Sequence, residues 1–232
     1  MSFEPGPGTP ARAAEVSPSL RLQILSTEHW SLLASRSLAW NESFTRAGMF
    51  LSALTGAIVA LALVAQASAF GEGFMLFALV ILPAVLFIGV ATVIRMGESN
   101  YHDALCVVGM NRIRAAYLEI APELGRYFVM GAHDDPPGLA ITMGMRPAGG
   151  RMSLAHFIAG TPTVVGILNS VIAGVIVALL ALRAGVGASA PIGAGVLGFL
   201  VTLLVQLVYA GRSIAKTRST YSPLFPTPGA DH

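Results

Sequence analysis

Glu98, His102 and Cys106 fall at i, i+4 and i+8 with Asp103 beside them. On a helix they share one face, as paired histidines do in zinc-binding helices. At about 1.5 Å per residue, however, the three spread over roughly 12 Å, too far for one ion. Two of them joined by His133, Asp134 or Asp135 would be needed to complete a metal shell. The plainer reading is a solvated polar flank in which Cys106, inside ALCVV, packs as a small apolar residue. The run His133-Asp134-Asp135-Pro136-Pro137-Gly138 offers a divalent cation two carboxylates, but Pro-Pro-Gly reads first as an open, solvated turn. There is no GxSxG elbow, no phosphate-cradling GKS or GKT loop and no HExxH pair. His29, His102, His133, His156 and His232 are scattered without a nucleophile partner. No catalytic residue, metal or cofactor is expected, and the chain reads as a non-enzyme.

The remaining polar groups of interest are uncharged and sit inside apolar stretches: Asn169, Ser170 and Gln206. In lipid each needs an internal partner, so they bind a neighbouring helix or line a polar pathway. Around them Gly166, Ser170, Gly174 and Ala178 recur every four residues, a row of small side chains that lets helix backbones approach. Gly174 falls near its centre. Two shorter rows, Ala194, Gly198, Thr202 and Ser52, Gly56, Ala60, follow the same spacing, and Gly195 falls off the Ala194/Gly198 row. Gly166, Asn169, Ser170, Gly174 and Gln206 are the candidate packing or pathway residues. No ionisable group lies at mid-depth, which argues against a proton-coupled pump or a voltage sensor.

Four stretches must position these groups. Residues 47–71 give 25 consecutive uncharged positions and residues 73–94 another 22, on either side of Glu72. TPTVVGILNSVIAGVIVALLAL from Thr161 and IGAGVLGFLVTLLVQLVYAG from Ile192 repeat the pattern. About 20 apolar residues cross a bilayer core, so the expected fold is all-α: a polytopic membrane protein of four spans in two hairpins, with helical extensions. Pro162 suits the first turn of the third span and Pro83 is expected to kink the second. Composition agrees, with 54% hydrophobic and 11% charged residues and a mean hydropathy of +0.70. One Cys excludes an internal disulfide framework, and a net charge of +2 gives no footing for nucleic acid.

The expected division is a disordered tail (1–19), an interfacial helix (20–46), the first hairpin (47–95), a helix and loop (96–160), the second hairpin (161–211) and a tail (212–232). Residues 20–46 read as a helix on the membrane surface with Trp30 and Trp40 at headgroup depth, or else as a subunit contact, and Leu20–Thr45 leaning on a helix over Glu98–Ala121 would form a small cytoplasmic stalk. Residues 139–145 read as a short strand, and SPLFPTPGADH as disordered. Of the 14 Lys and Arg residues, 13 flank the spans on the side of the termini and one, Arg183, lies in a hairpin turn. The positive-inside rule then puts both termini and the central connection in the cytoplasm, in a multi-pass plasma-membrane protein without a cleavable signal peptide.

The stretch STEHWSLLASRSLAWNESFTRAGMFLSALTGAIVALAL with GMNRIRAAYLEIAPEL resembles uncharacterised four-span membrane proteins of high-GC Gram-positive bacteria. The first half also resembles, weakly, the two-span SLATT-type membrane effectors of bacterial conflict systems. That likeness implies a helix before the first span, a tight hairpin and pore formation; the second hairpin departs from it. The function expected is a homo-oligomeric, non-enzymatic assembly with channel or pore activity. The alternative is a membrane-anchored scaffold or accessory subunit binding a cytoplasmic protein. The partners expected are the lipid bilayer, further copies of the chain and such a protein, with no nucleic acid.

Overall fold

The computed structural model describes residues 17–144, 160–187 and 189–229, without the side chains of Thr217 and Arg218. The fold is all-α. Helix α1 runs from Pro18 to Ser68 and α2 from Glu72 to Ile120. A 3-10 turn (Pro122–Tyr127) and the short α3 (Pro136–Thr142) follow. The second hairpin is α4 (Thr161–Arg183) and α5 (Ala190–Thr220). Each of the four long helices carries a stretch long and apolar enough to cross a membrane.

Helix α1 starts where Ser17 accepts a hydrogen bond from the Leu20 N–H at 3.3 Å and Pro18 takes the first turn. It ends where Ala69 and Phe70 turn left-handed, at φ 45° and 59°. Gly71 then opens α2, which runs unbroken through Pro83. At about 1.5 Å per residue, α1 with its 51 residues is roughly 76 Å long, against a bilayer core of about 30 Å. The surplus lies at one end, where α1 and α2 remain paired. Arg21 meets Glu119 at 3.6 Å at the far tip, and Ser99 donates to the Ala39 carbonyl at 2.9 Å midway. Residues 20–46 therefore form one unbroken helix with the first apolar stretch and pair with α2 as the expected two-helix stalk. A helix collinear with a crossing one cannot also run in the membrane plane.

Two further expectations change. Of the expected strand 139–145, the described residues 139–144 hold none, because Pro136–Thr142 is helical: Asp135 caps it by accepting the Gly138 N–H at 3.0 Å. Residues 222–229 of the tail 222–232 expected to be disordered run in contact with the loop before α3, and 230–232 lie outside the described residues. The disorder expected of residues 1–19 falls outside the described residues up to 16, and α1 already includes 18 and 19.

The core lies where the hairpins meet. Phe50 and Ala57 of α1, Leu82 and Val85 of α2, and Val165 and Ile172 of α4 form one buried cluster. Helix α5 packs on α4 and leaves a broad apolar face outward (Val196, Leu200, Leu204, Val208). Such a face suits lipid, since water would have to surround every one of those side chains.

Candidate functional site

Inside the span zone the polar groups converge. Gln206 of α5 donates from Nε2 to the Gly166 carbonyl at 3.0 Å and to Ser170 Oγ at 3.1 Å. Ser170 Oγ in turn donates to the Gly166 carbonyl at 2.9 Å, and Asn169 Nδ2 points to Gln206 Oε1 at 3.5 Å. Asn169 and Ser170 are fully buried. Residue 169 lies about 12 Å along α4 from its start at Thr161, inside the crossing stretch.

Asn169 Oδ1 is buried and has no hydrogen-bond donor. It lies against Gly89 of α2, where any Cβ would overlap it and would stand 2.6 Å from the Phe50 ring. Glycine at 89 is thus required by close approach, and the oxygen rests on a Cα–H group, a weak acceptor contact at best. Among the described glycines this is the closest approach between the two hairpins. Other ties flank it: Tyr209 donates to the Ile94 carbonyl at 3.3 Å, and Arg183 and Glu72 pair at 3.9 Å beside the hairpin turns.

The small-residue row of α4 is filled by α5 of the same chain. A Cβ at Gly174 would meet the Gly195 carbonyl at 2.7 Å, and one at Gly198 would meet Val177 Cγ2 at 2.9 Å. One at Gly195 would stand 3.1 Å from both Ala178 Cβ and the Gly174 carbonyl. Gly195 therefore belongs to the contact, contrary to its expected place off the row. The helices cross so closely that two adjacent small positions of α5 face Gly174. At Gly56, in the row of α1, a Cβ would meet nothing within 4 Å.

On the stalk the candidate metal residues separate. Glu98 is exposed and pairs with Arg95 at 2.7 Å, while Arg95 also reaches Glu42 at 2.8 Å. His102 is exposed and Cys106 is buried. Asp103 is buried and accepts from Arg36 Nε at 2.6 Å and Trp40 Nε1 at 3.0 Å. Among the described residues no three His, Cys, Asp or Glu side chains are grouped to hold a metal.

Asp134 and Asp135 are buried rather than solvated. Asp134 accepts from Arg112 Nε at 2.7 Å and from the backbone N–H groups of Leu224 and Phe225 at 2.9 and 2.8 Å. Its own N–H donates to the Phe225 carbonyl at 3.1 Å. Asp135 accepts from the Thr227 N–H and Oγ1, both at 2.7 Å. Arg112 also donates to the Ser222 carbonyl at 2.9 Å. Burial pushes both carboxyls up, but these donors outweigh it and hold each below the ordinary carboxylate range. The result is a clasp joining the chain beyond α5 to the loop below α2.

Sequence reasoning passed over Asn111, which holds that loop from α2. Fully buried, it donates to the His133 carbonyl at 2.7 Å and accepts from Thr142 Oγ1 and Arg114 Nη1, both at 2.8 Å. Its one local signal is an amide on the apolar stripe of a helix. The chain matches no protein-family model, no curated protein and no solved structure, and neither resemblance read from its sequence gains support there.

Proposed function

We propose that this chain is a non-enzymatic protein of the plasma membrane that works as a homo-oligomer and opens a conduction path along the seam between its two hairpins. The observation that carries the reading is the Asn169 carbonyl oxygen, buried at that seam without a donor. Leaving such a group unpaired costs about 1–3 kcal/mol, so a parted seam that brings water or a cation to it recovers that amount. Gln206 Oε1, within 3.5 Å of the Asn169 amide, adds a second uncharged acceptor. Amide oxygens replace part of a hydration shell without trapping the ion. The 13-to-1 distribution of basic residues supports a cytoplasmic stalk and clasp.

The test is flux through liposomes holding the purified protein, with Asn169→Leu as the comparison. We expect cation or water flux above that of empty liposomes, reduced in the variant. Correctly inserted protein that passes neither would refute the path. A second reading, a scaffold for a cytoplasmic protein, is favoured by the stalk, whose length the crossing itself does not require. A detergent-stable complex with a second gene product would support it.

A further inference from the structure

Resting on the oligomeric reading above, we propose that a second copy of the chain docks in parallel on the outer face of the α1 stalk, along Leu22, Trp30, Leu33, Trp40 and Phe44. All five are exposed, Trp30 by 67%, Phe44 by 56% and Trp40 by 50%. At 100° per residue they share an arc of about 80° with Ser26 and Ser37, on the flank of the side that α2 covers. Every charge of the stalk segment, at Arg21, Glu28, Arg36, Glu42 and Arg46, falls outside that arc. The strip lies within the charge-free side of α1 and holds all of its exposed aromatic side chains between residues 20 and 46.

Lipid does not cover its outer half. The stretch from Ala47 to the end of α1 spans about 33 Å, enough for the bilayer core, and Trp30 lies roughly 25 Å beyond Ala47. The pairing of Arg36 with Asp103 and of Arg21 with Glu119 keeps this part of α1 upright against α2. Trp30 and Leu33 are thus held at a height where the surroundings are water, while Trp40 and Phe44, about 10 and 4 Å beyond Ala47, lie nearer the headgroups.

The spacing says what shape meets them. Ser26, Trp30, Leu33, Ser37, Trp40 and Phe44 advance by four, three, four, three and four residues, the repeat of a helix seated on a parallel helix. Spans fix every copy at one depth and one orientation. A two-fold axis normal to the membrane therefore brings each seam residue level with its counterpart. Ser26 and Ser37 allow close approach between layers of indole and phenyl rings. Trp40 is set in advance: its indole donates to Asp103, Arg36 lies 5.8 Å from its ring centre, and Phe44 packs edge-on at 6.0 Å. At about 150–250 Å² per aromatic side chain, the exposed parts of the three rings offer roughly 300–400 Å². That is near half of the ~800 Å² per partner of a standard interface, with the two leucines and the serines adding to it.

The test uses full-length Cys106→Ala protein in lipid nanodiscs carrying a single new cysteine, Ser26→Cys, Ser37→Cys or Ser31→Cys, under mild oxidation. Ser31 is exposed on the same helix but outside the arc. Mass measurement of each unoxidised sample gives the oligomeric state separately. We expect oligomers, with most of the chain shifted to a covalent dimer for Ser26→Cys and Ser37→Cys and little for Ser31→Cys. Oligomers that crosslink best through Ser31→Cys, or through none of the three, would overturn the seam and leave the oligomeric reading standing. A monomer throughout would overturn both. Crosslinking of Ser37→Cys to a different protein would overturn the seam in favour of the scaffold.

Discussion

Replacing Gly174 by alanine puts one methyl group into the closest part of the second hairpin. The new Cβ would stand 2.7 Å from the Gly195 carbonyl oxygen, 3.3 Å from Phe199 Cβ and 3.4 Å from the Phe199 nitrogen. The nearest of these atoms belongs to backbone, so relief requires α5 to move away by about half an ångström. A gap of that size forfeits a quarter or more of each dispersion contact along the crossing. Overpacking of this kind costs about 1–3 kcal/mol. Alanine also gains up to about 1 kcal/mol over glycine in a helix interior, which partly hides the clash. Gly211→Ala removes that complication: it lies in α5, where a Cβ would meet nothing within 4 Å, so it gains the propensity without the contact. The stability of Gly174→Ala relative to Gly211→Ala should therefore fall by about 1–3 kcal/mol. Gly195→Ala should fall less, because its contacts are at 3.1 Å. Reversible unfolding in mixed detergent micelles, followed by tryptophan fluorescence, measures all three. Equal gains for Gly174→Ala and Gly211→Ala would refute packing through Gly174.

Gln206→Leu should weaken the second hairpin by only about 1 kcal/mol in the same assay. It removes two short hydrogen bonds worth about 0.6 kcal/mol each in a membrane bundle, together with the longer ones to Asn169 and Thr202 at 3.5 Å, and leaves Ser170 bonded to the Gly166 carbonyl. The amides of Leu224, Phe225 and Thr227 should exchange slowly at neutral pH, and Asp134→Ala should free those of Leu224 and Phe225. Both carboxyls are depressed in the folded state, so their contribution is complete above the ordinary Asp value of about 3.9 and is lost as pH falls through the lower folded values. Protection that fails between pH 7 and 5 would contradict the clasp. In a Cys106→Ala background, an impermeant maleimide applied to intact cells should label Gly187→Cys and spare Glu123→Cys; the reverse would invert the topology. Zinc content should be the same in wild type and in the His102→Ala, Cys106→Ala double variant; stoichiometric zinc lost with that pair would show a site.

The spans were legible because lipid imposes a local rule: each crossing stretch must be apolar and satisfy its own backbone. The Gly166–Gly174 row was legible for the same reason, since small residues at one spacing mark a face. Which face of α5 answers it depends on the crossing geometry, and Gly195 was misread for that reason. Asp135-Pro136-Pro137 carried a helix-start signal, a capping carboxylate followed by proline, that the apolar residues 139–145 obscured. The clasp left no local trace. Proline-rich SPLFPTPG looks unstructured by composition, and its order comes from carboxylates about 90 positions earlier in the chain. Asp103 likewise looked like a surface acid until α1 brought Arg36 and Trp40 to it from 67 and 63 positions away.

The clasp also orders events during synthesis. At about 5–20 residues per second, the ribosome needs roughly 5–20 s to travel the 90 positions from Asp134 to Leu224, and both spans of the second hairpin are made in that interval. Until then Asp134 and Asp135 lack the backbone donors that let them be buried. A second hairpin of which only one span crossed would deliver Ser222, Leu224 and Thr227 to the opposite face of the bilayer, where no loop awaits them. Closing the clasp therefore requires that the two ends of the second hairpin lie on one side of the bilayer. A protease that cuts exposed loops next to Asp134 would spare the finished molecules and remove the misthreaded ones.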